Sequence, residues 1–343
     1  MNLEKIDVVV EKVALSIGAC CVVLALGSPL LRKLNAEEEV APARIVFTVR
    51  DTAHVPATEP AATATPPAAP AAPAAPAAPA DTVVKRKRSY TPYAEIIKKR
   101  AALIAQLEER YKSEPVHDCS LHAKGIVHRV NLPPCDTCKT LFLTLDACIS
   151  GFDSVFITYL IYNNVRTSLF VTTRWINNNP QAMRLLCRRS DIFDVENHGV
   201  LHRPASVNGC TRYGIRGTES MAELVAEVEV GADIIERITG VPPAFFRSGT
   251  AFADNVAVAA INDMGYRFIG FSVAADEGAT LPRNAVKQRI LAAQHGDIIL
   301  MHFNSKNNES HLGFMMALEE MKQKKECVRF EKLRDFAAQL EAY

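Results

Sequence analysis

From about residue 140 to the C-terminus, short apolar runs alternate with longer segments of helical periodicity, and nothing else in the chain limits its fold so strongly. The strand-like runs are Leu141–Leu145, Ser168–Thr172, Phe193–Val195, Ala244–Phe246, Arg267–Phe271, Asp297–Met301 and Cys327–Phe330. Helical segments are expected from Pro180 to Arg189, Ser220 to Thr239, Ala253 to Met264, Pro282 to Gln294, Leu312 to Lys325 and Glu331 to Ala342. Ser220 is a good opening residue, and Gly240 followed by Pro242 stops that helix. Strands separated by helices, with almost no hairpin signals, must run parallel and connect through βαβ crossovers. Seven such units build a doubly wound sheet or a (β/α) barrel, and in both the chemistry gathers at the carboxyl ends of the strands. The stretch Asp146–Gly151 after the first strand lacks a Gly-rich phosphate fingerprint. That favours an α/β fold of distorted (β/α)7-type barrel over a dinucleotide-binding sheet.

The first third of the chain has a different composition. Val13–Leu31 carries no charged side chain, a length between that of a signal-peptide core and a short membrane helix. Residues 1–34 are therefore expected to be an apolar signal-anchor or transmembrane segment. Residues 35–89 form a Pro/Ala-rich linker ending in the basic run Lys85–Arg88, which reads as solvated. Its prolines favour extended polyproline II, so the roughly forty residues from 41 to 83 span on the order of 100 Å. Residues 90–138 are a lead-in, with an amphipathic helix between Thr91 and Lys112, and residues 139–343 are the barrel. The order of anchor, spacer and domain suits an enzyme held at a membrane, facing an extended polymer outside the cytoplasm, in the periplasm or cell envelope, or secreted. Net charge is +1 with charges scattered, so no nucleic-acid partner is expected.

Nine cysteines form no tidy framework. Cys20 and Cys21 fall in the apolar segment, and an odd count of seven remains. Cys135 and Cys138 lie three apart with no second pair, which favours a local disulfide or thiols over a zinc or redox motif.

Polar groups stand just past the strand ends: Asp146 at the first, His198 and His202 after the third, Arg247 after the fourth, Asp276 after the fifth and His302 on the sixth. Two histidines four apart can hold one divalent ion through imidazole nitrogens. Alone that spacing fits packed or solvated histidines equally well. Together with the other strand-end groups it points to one metal-assisted hydrolytic site.

In this order the groups resemble those of the polysaccharide deacetylases of NodB-homology type, carbohydrate esterase family 4, which are distorted (β/α) barrels. The resemblance covers about residues 139–340. Leu143-Thr144-Leu145-Asp146-Ala147-Cys148 is similar to the first motif, usually Thr-Phe-Asp-Asp-Gly, and the resemblance makes Asp146 the catalytic base. Asn197-His198 through His202 corresponds to the second motif, so both histidines would ligate metal. Phe246-Arg247-Ser248-Gly249-Thr250 stands where Arg-Pro-Pro-Tyr is usual, which gives Arg247 the task of orienting the base and Thr250 a backbone donor to the oxyanion. Ser272–Asp276 resembles the fourth motif, whose aspartate tunes the histidine of the fifth, Leu300-Met301-His302, the general acid. Glu277, adjacent to Asp276, leaves that assignment open by one residue.

The departures bear on the metal. Ala147 occupies the position of the usual second aspartate, so Asp146 binds the metal directly, water completes the site, or affinity falls. Trp175, the only tryptophan, is open to two roles, packing or stacking on a sugar. The resemblance implies a hydrolase using a divalent ion, most plausibly Zn2+ with Co2+ or Ni2+ as alternatives. It would remove N-acetyl groups from peptidoglycan or an exported polysaccharide. A deformylase or deacetylase of a lipid-linked sugar, or a non-catalytic anchored glycan-binding barrel, are the competing expectations.

Overall fold

The computed structural model describes residues 93–149, 151–303 and 309–340. The apolar segment at 13–31 and the Pro/Ala-rich linker lie outside these residues. Among the described residues no helix is long and apolar enough to cross a membrane.

The chain runs α1 (Tyr93–Tyr111), β1 (Lys139–Ala147), α2 (Ser154–Tyr162), β2 (Thr167–Val171), α3 (Thr173–Asn178), α4 (Pro180–Arg188) and β3 (Phe193–Asn197). A short hairpin, β4 (Thr211–Arg212) and β5 (Ile215–Arg216), precedes α5 (Met221–Thr239), β6 (Phe245–Phe246), α6 (Asn255–Asp263), β7 (Arg267–Phe268) and β8 (Val273–Ala274). The remainder is α7 (Arg283–Leu291), β9 (Ile298–His302), α8 (Glu309–Gln323), β10 (Val328–Phe330) and a 3-10 turn at Leu333–Gln339. All seven expected strands are present, and an eighth, β8, joins them. The helix expected over 331–342 is instead the 3-10 turn, kinked at Phe336.

Eight strands form one sheet in the order β7-β6-β3-β2-β1-β9-β8, with β10 beside the start of β1. Every pairing within it is parallel, and the sheet curls into a half barrel. The lead-in segment bonds both to edge strand β7 and to the turn before β9. The Val127 N–H donates to the Phe268 carbonyl at 2.9 Å, and the Gly270 N–H donates back to Val127 at 2.7 Å. On the other side the Val130 N–H donates to the Gly296 carbonyl at 2.9 Å.

Because β1 is buried on both faces, its sequence shows no polar alternation. Leu141, Leu143, Leu145, Leu169, Val171, Phe193, Ile299 and Met301 pack outward against the helices. Phe142, Phe170, Phe245 and Ile298 fill the interior with Val130, Leu333 and Leu340. Helix starts are capped locally. Asp153 accepts from the Val155 and Phe156 amides, Thr172 from Trp175, Ser220 from Glu223 and Asp254 from Ala257. Each of these helices therefore begins where its preceding strand or loop delivers the chain, which fixes the strand-end loops between them.

The cysteines pair at long range. Cys119 bonds Cys210 across 91 residues, and Cys138 bonds Cys327 across 189, tying the start of β1 to the start of β10. The local Cys135–Cys138 bridge is thus overturned: Cys138 has another partner, and Cys135 stays exposed outside both bridges.

Candidate active site

The strand-end groups converge at the carboxyl end of the sheet. Asp146 and His302 are register partners on β1 and β9. Arg247 enters from the residue after β6, fully buried, and every nitrogen of its guanidinium is committed. Nε donates to the Ile269 carbonyl at 3.1 Å and Nη2 to the Gly270 carbonyl at 2.7 Å. Nη1 donates to Thr144 Oγ1 at 2.9 Å and to Asp146 Oδ1 at 2.7 Å. The guanidinium carbon also lies 4.3 Å from the centre of the Phe170 ring, a cation–π contact. A fork held at five points can deliver one N–H to a carboxylate in one orientation only, so Arg247 sets which Asp146 oxygen remains available. Oδ2 is that oxygen, 3.6 Å from His198 Nε2.

His198 is oriented from behind. Its Nδ1 meets the Arg247 carbonyl at 2.9 Å, so that nitrogen carries the proton and Nε2 presents a lone pair to the site. The loop from Asn197 to His202 is held by α5. Asn197 donates through its amide to the Val228 carbonyl at 2.8 Å and accepts from the Gly199 N–H at 2.9 Å. Glu227 accepts the Leu201 N–H at 2.9 Å. His202 sits in the left-handed backbone region, φ +62°. A Cβ at Gly249 would lie 2.1 Å from the His202 backbone, so only glycine lets that loop close over the site. The rings of His198 and His202 meet edge to face at 5.0 Å.

On the opposite wall, Asp276 holds His302 twice. Its Oδ1 is 2.9 Å from His302 Nδ1, and its Oδ2 accepts the His302 N–H at 2.8 Å. Glu277 turns away to Arg289 at 2.5 Å, so Asp276 is the partner of the histidine. The His302 side chain is 19% exposed and faces the opening.

Electrostatics separate the histidines by role. Burial drives His198 below the usual imidazole range and His202 down to about 3, keeping both neutral, the form that binds metal. Burial also opposes charge on His302, but the Asp276 carboxylate outweighs it and raises that ring. For Asp146, burial is likewise overcome, first by the Arg247 charge and then by His198 and His302, so the carboxyl stays ionised. One site thus holds a carboxylate kept ionised, two imidazoles pushed toward the neutral form and one imidazole whose charged form is favoured.

Two residues at the site, Cys148 and His311, carry no signal of such a role in the sequence. Among the described residues, Cys148, His198 and His202 offer ligand atoms that all lie within 4.8 Å of one another, a donor set that fits a divalent ion of zinc type. A thiol among apolar residues gives no spacing signal, which is why Cys148 was passed over. His311 Nε2 is 3.1 Å from the His302 carbonyl, its Nδ1 is 2.7 Å from Asp153, and its ring stacks on Phe156 at 4.2 Å. Of the two roles open to Trp175 the structure takes packing and overturns sugar stacking: it is fully buried, and its Nε1 donates to the Gly151 carbonyl at 2.8 Å. Thr250 lies on the turn after β6, half-buried, its hydroxyl 3.4 Å from the Phe252 amide.

Residues 134–269 match the family model for polysaccharide deacetylase. Among solved structures, a carbohydrate esterase family 4 pseudoenzyme from Bacillus anthracis is 17% identical, with 61% of this chain and 70% of that chain covered and a TM-score of 0.47. PdaA of Bacillus subtilis, a family 4 carbohydrate esterase, is 20% identical over 69% of this chain and 90% of that one, TM-score 0.49. The peptidoglycan deacetylase PdaC of Bacillus subtilis is 16% identical over 58% and 90%, TM-score 0.45. No curated protein matches the sequence.

Proposed function

We propose that the chain, whose residues 134–269 match the polysaccharide deacetylase family model, hydrolyses N-acetyl groups on an amino-sugar polymer with a divalent metal ion. The observation that carries the reading is the pairing of an Arg-locked Asp146 with an Asp-held His302 on neighbouring strands. A pure binding module has no use for a base and an acid set side by side at the ends of adjacent strands.

Hydrolysis of an amide needs a proton taken from water and a proton given to the departing amine. Asp146 Oδ2, left uncommitted by Arg247, accepts the water proton. Arg247 keeps the carboxylate ionised and aimed. His302 donates its proton to the amine nitrogen, and Asp276 stabilises the charged ring until it does. In this reading the backbone amide at Thr250 donates to the oxygen that gains charge. His198 and His202 would hold the ion, which when bound would supply Lewis-acid polarisation of the acetyl oxygen and of water. Zn2+ suits imidazole and thiolate donors best, with Co2+ and Ni2+ as substitutes.

The substrate proposed is peptidoglycan or an exported polysaccharide, and the place is outside the cytoplasm, tethered by the N-terminal apolar segment. Two disulfides among the described residues support an oxidising compartment, and the long Pro/Ala spacer supports reach toward a polymer.

Asp146→Asn tests the reading. The variant keeps the shape of the pair with Arg247 and should retain metal while releasing acetate at least about 100-fold more slowly. Acetate release near the wild-type rate would remove Asp146 from the role of base.

A further inference from the structure

One buried nucleophile has no part in this acid–base chemistry. Cys148 follows Ala147 at the end of β1, lies outside both disulfides and is 6% exposed. Its Sγ is 3.8 Å from His198 Nε2. A tetrahedral ion with a sulfur at about 2.3 Å and a nitrogen at about 2.1 Å holds those two atoms roughly 3.6 Å apart. The observed separation is close to what one shared ion demands.

The backbone brings the thiol there. Thr172 Oγ1 donates to the Cys148 carbonyl at 2.5 Å, and the Thr172 N–H donates to the Ala147 carbonyl at 3.1 Å. These bonds pin the chain as it leaves the strand. Ala147 itself packs with the apolar layer outside the sheet and carries no donor. A carboxylate is thus missing at 147, and a sulfur stands one residue further on, within 4.8 Å of a ligand atom of each histidine.

We infer that Cys148 is the third protein ligand of the metal, forming a Cys-His-His centre with His198 and His202 and leaving Asp146 wholly to base chemistry. This rests on the metal-dependent reading above. On binding, the ion displaces the thiol proton to solvent and takes up the thiolate, which restores the single negative charge that a carboxylate ligand would have brought. A soft thiolate turns the site toward Zn2+ and Co2+ and away from Mg2+ and Ca2+.

The test uses the full-length purified protein loaded with Co2+ or Zn2+. One Co2+ per chain should bind and show a thiolate-to-cobalt charge-transfer absorption in the near ultraviolet. Cys148→Ser should lose that band and bind Co2+ at least about 10-fold more weakly; Cys135 and Cys187 remain in that variant, so the loss identifies the sulfur. X-ray absorption at the zinc edge of the wild type should show one sulfur at about 2.3 Å. Stoichiometric Co2+ without the band, or a zinc shell of nitrogen and oxygen only, would overturn the assignment while leaving metal-dependent deacetylation standing. A protein that binds neither ion would overturn both.

Discussion

The site depends first on how single side chains are held. Asp276 spends both carboxylate oxygens on His302, one on the ring and one on the backbone amide. Its charge is the reason that the ring is raised despite burial. A raised histidine stays protonated to higher pH, so the acid is available further into the alkaline range. Asp276→Asn should therefore move the alkaline limb of the kcat/KM profile to lower pH, with the acidic limb little changed. The linked stability has the same sign: the pair contributes fully below the unfolded histidine value and is lost as pH rises through the raised folded one. A pH–rate profile of the variant that superimposes on the wild type would contradict this role. At this scale the sequence was informative wherever a polar residue interrupts an apolar run, because a group at the end of a buried strand has few reasons to be there. Asp146, Arg247 and His302 were visible for that reason. Cys148 was not, since a small soft hydrophobe at a strand end looks like core. Trp175 shows the converse, a residue with a suggestive chemistry that the fold consumes as packing.

Among elements, the His198–His202 loop depends on a partner that contributes no chemistry. Helix α5 supplies Glu227 and the Val228 carbonyl to its backbone, and the turn after β6 supplies Gly249 beneath His202. Gly249→Ala places a methyl 2.1 Å from the His202 backbone, where neither chain has a flexible end to yield. The variant should fold, lose tight metal binding and lose activity in proportion. Metal analysis after dialysis checks it, and a fully loaded variant would show that His202 does not depend on that contact. The long elements were legible because their periodicity is sustained. The two-residue strands β6, β7 and β8 carry too few residues to show a period, and only β6 and β7 were marked by aromatic runs. The β4–β5 hairpin and helix α2 gave no comparable signal. Helix α2, Ser154–Tyr162, is apolar almost throughout and so lacks the alternation that would separate it from a strand.

Across the whole domain, two disulfides and the lead-in segment hold together what the sheet leaves open. Val127 bonds beside edge strand β7 and Val130 to Gly296 just before β9, Cys119 reaches the loop beyond β3, and Cys138 joins β1 to β10. Reducing both bridges frees the denatured chain of two long loops, each worth about 2–5 kcal/mol. The midpoint of thermal unfolding should fall clearly in the presence of reductant, with thiol titration confirming that the bridges opened; an unchanged midpoint would show that they add nothing to stability. Pairings across 91 and 189 residues leave no local trace, so the disulfides were beyond reach of spacing arguments, whereas the order of strands and helices was not.

The central claim is that these strand-end groups work together as a metal-dependent deacetylase. Acetate release from peptidoglycan fragments and chito-oligomers, measured on full-length protein of known metal content with and without a chelator, tests it most directly. Acetate should appear in step with new free amines, vanish on chelation and return with added Zn2+ or Co2+. Metal-loaded protein that retains the glycan and releases no acetate would contradict the claim and leave a binding barrel in its place.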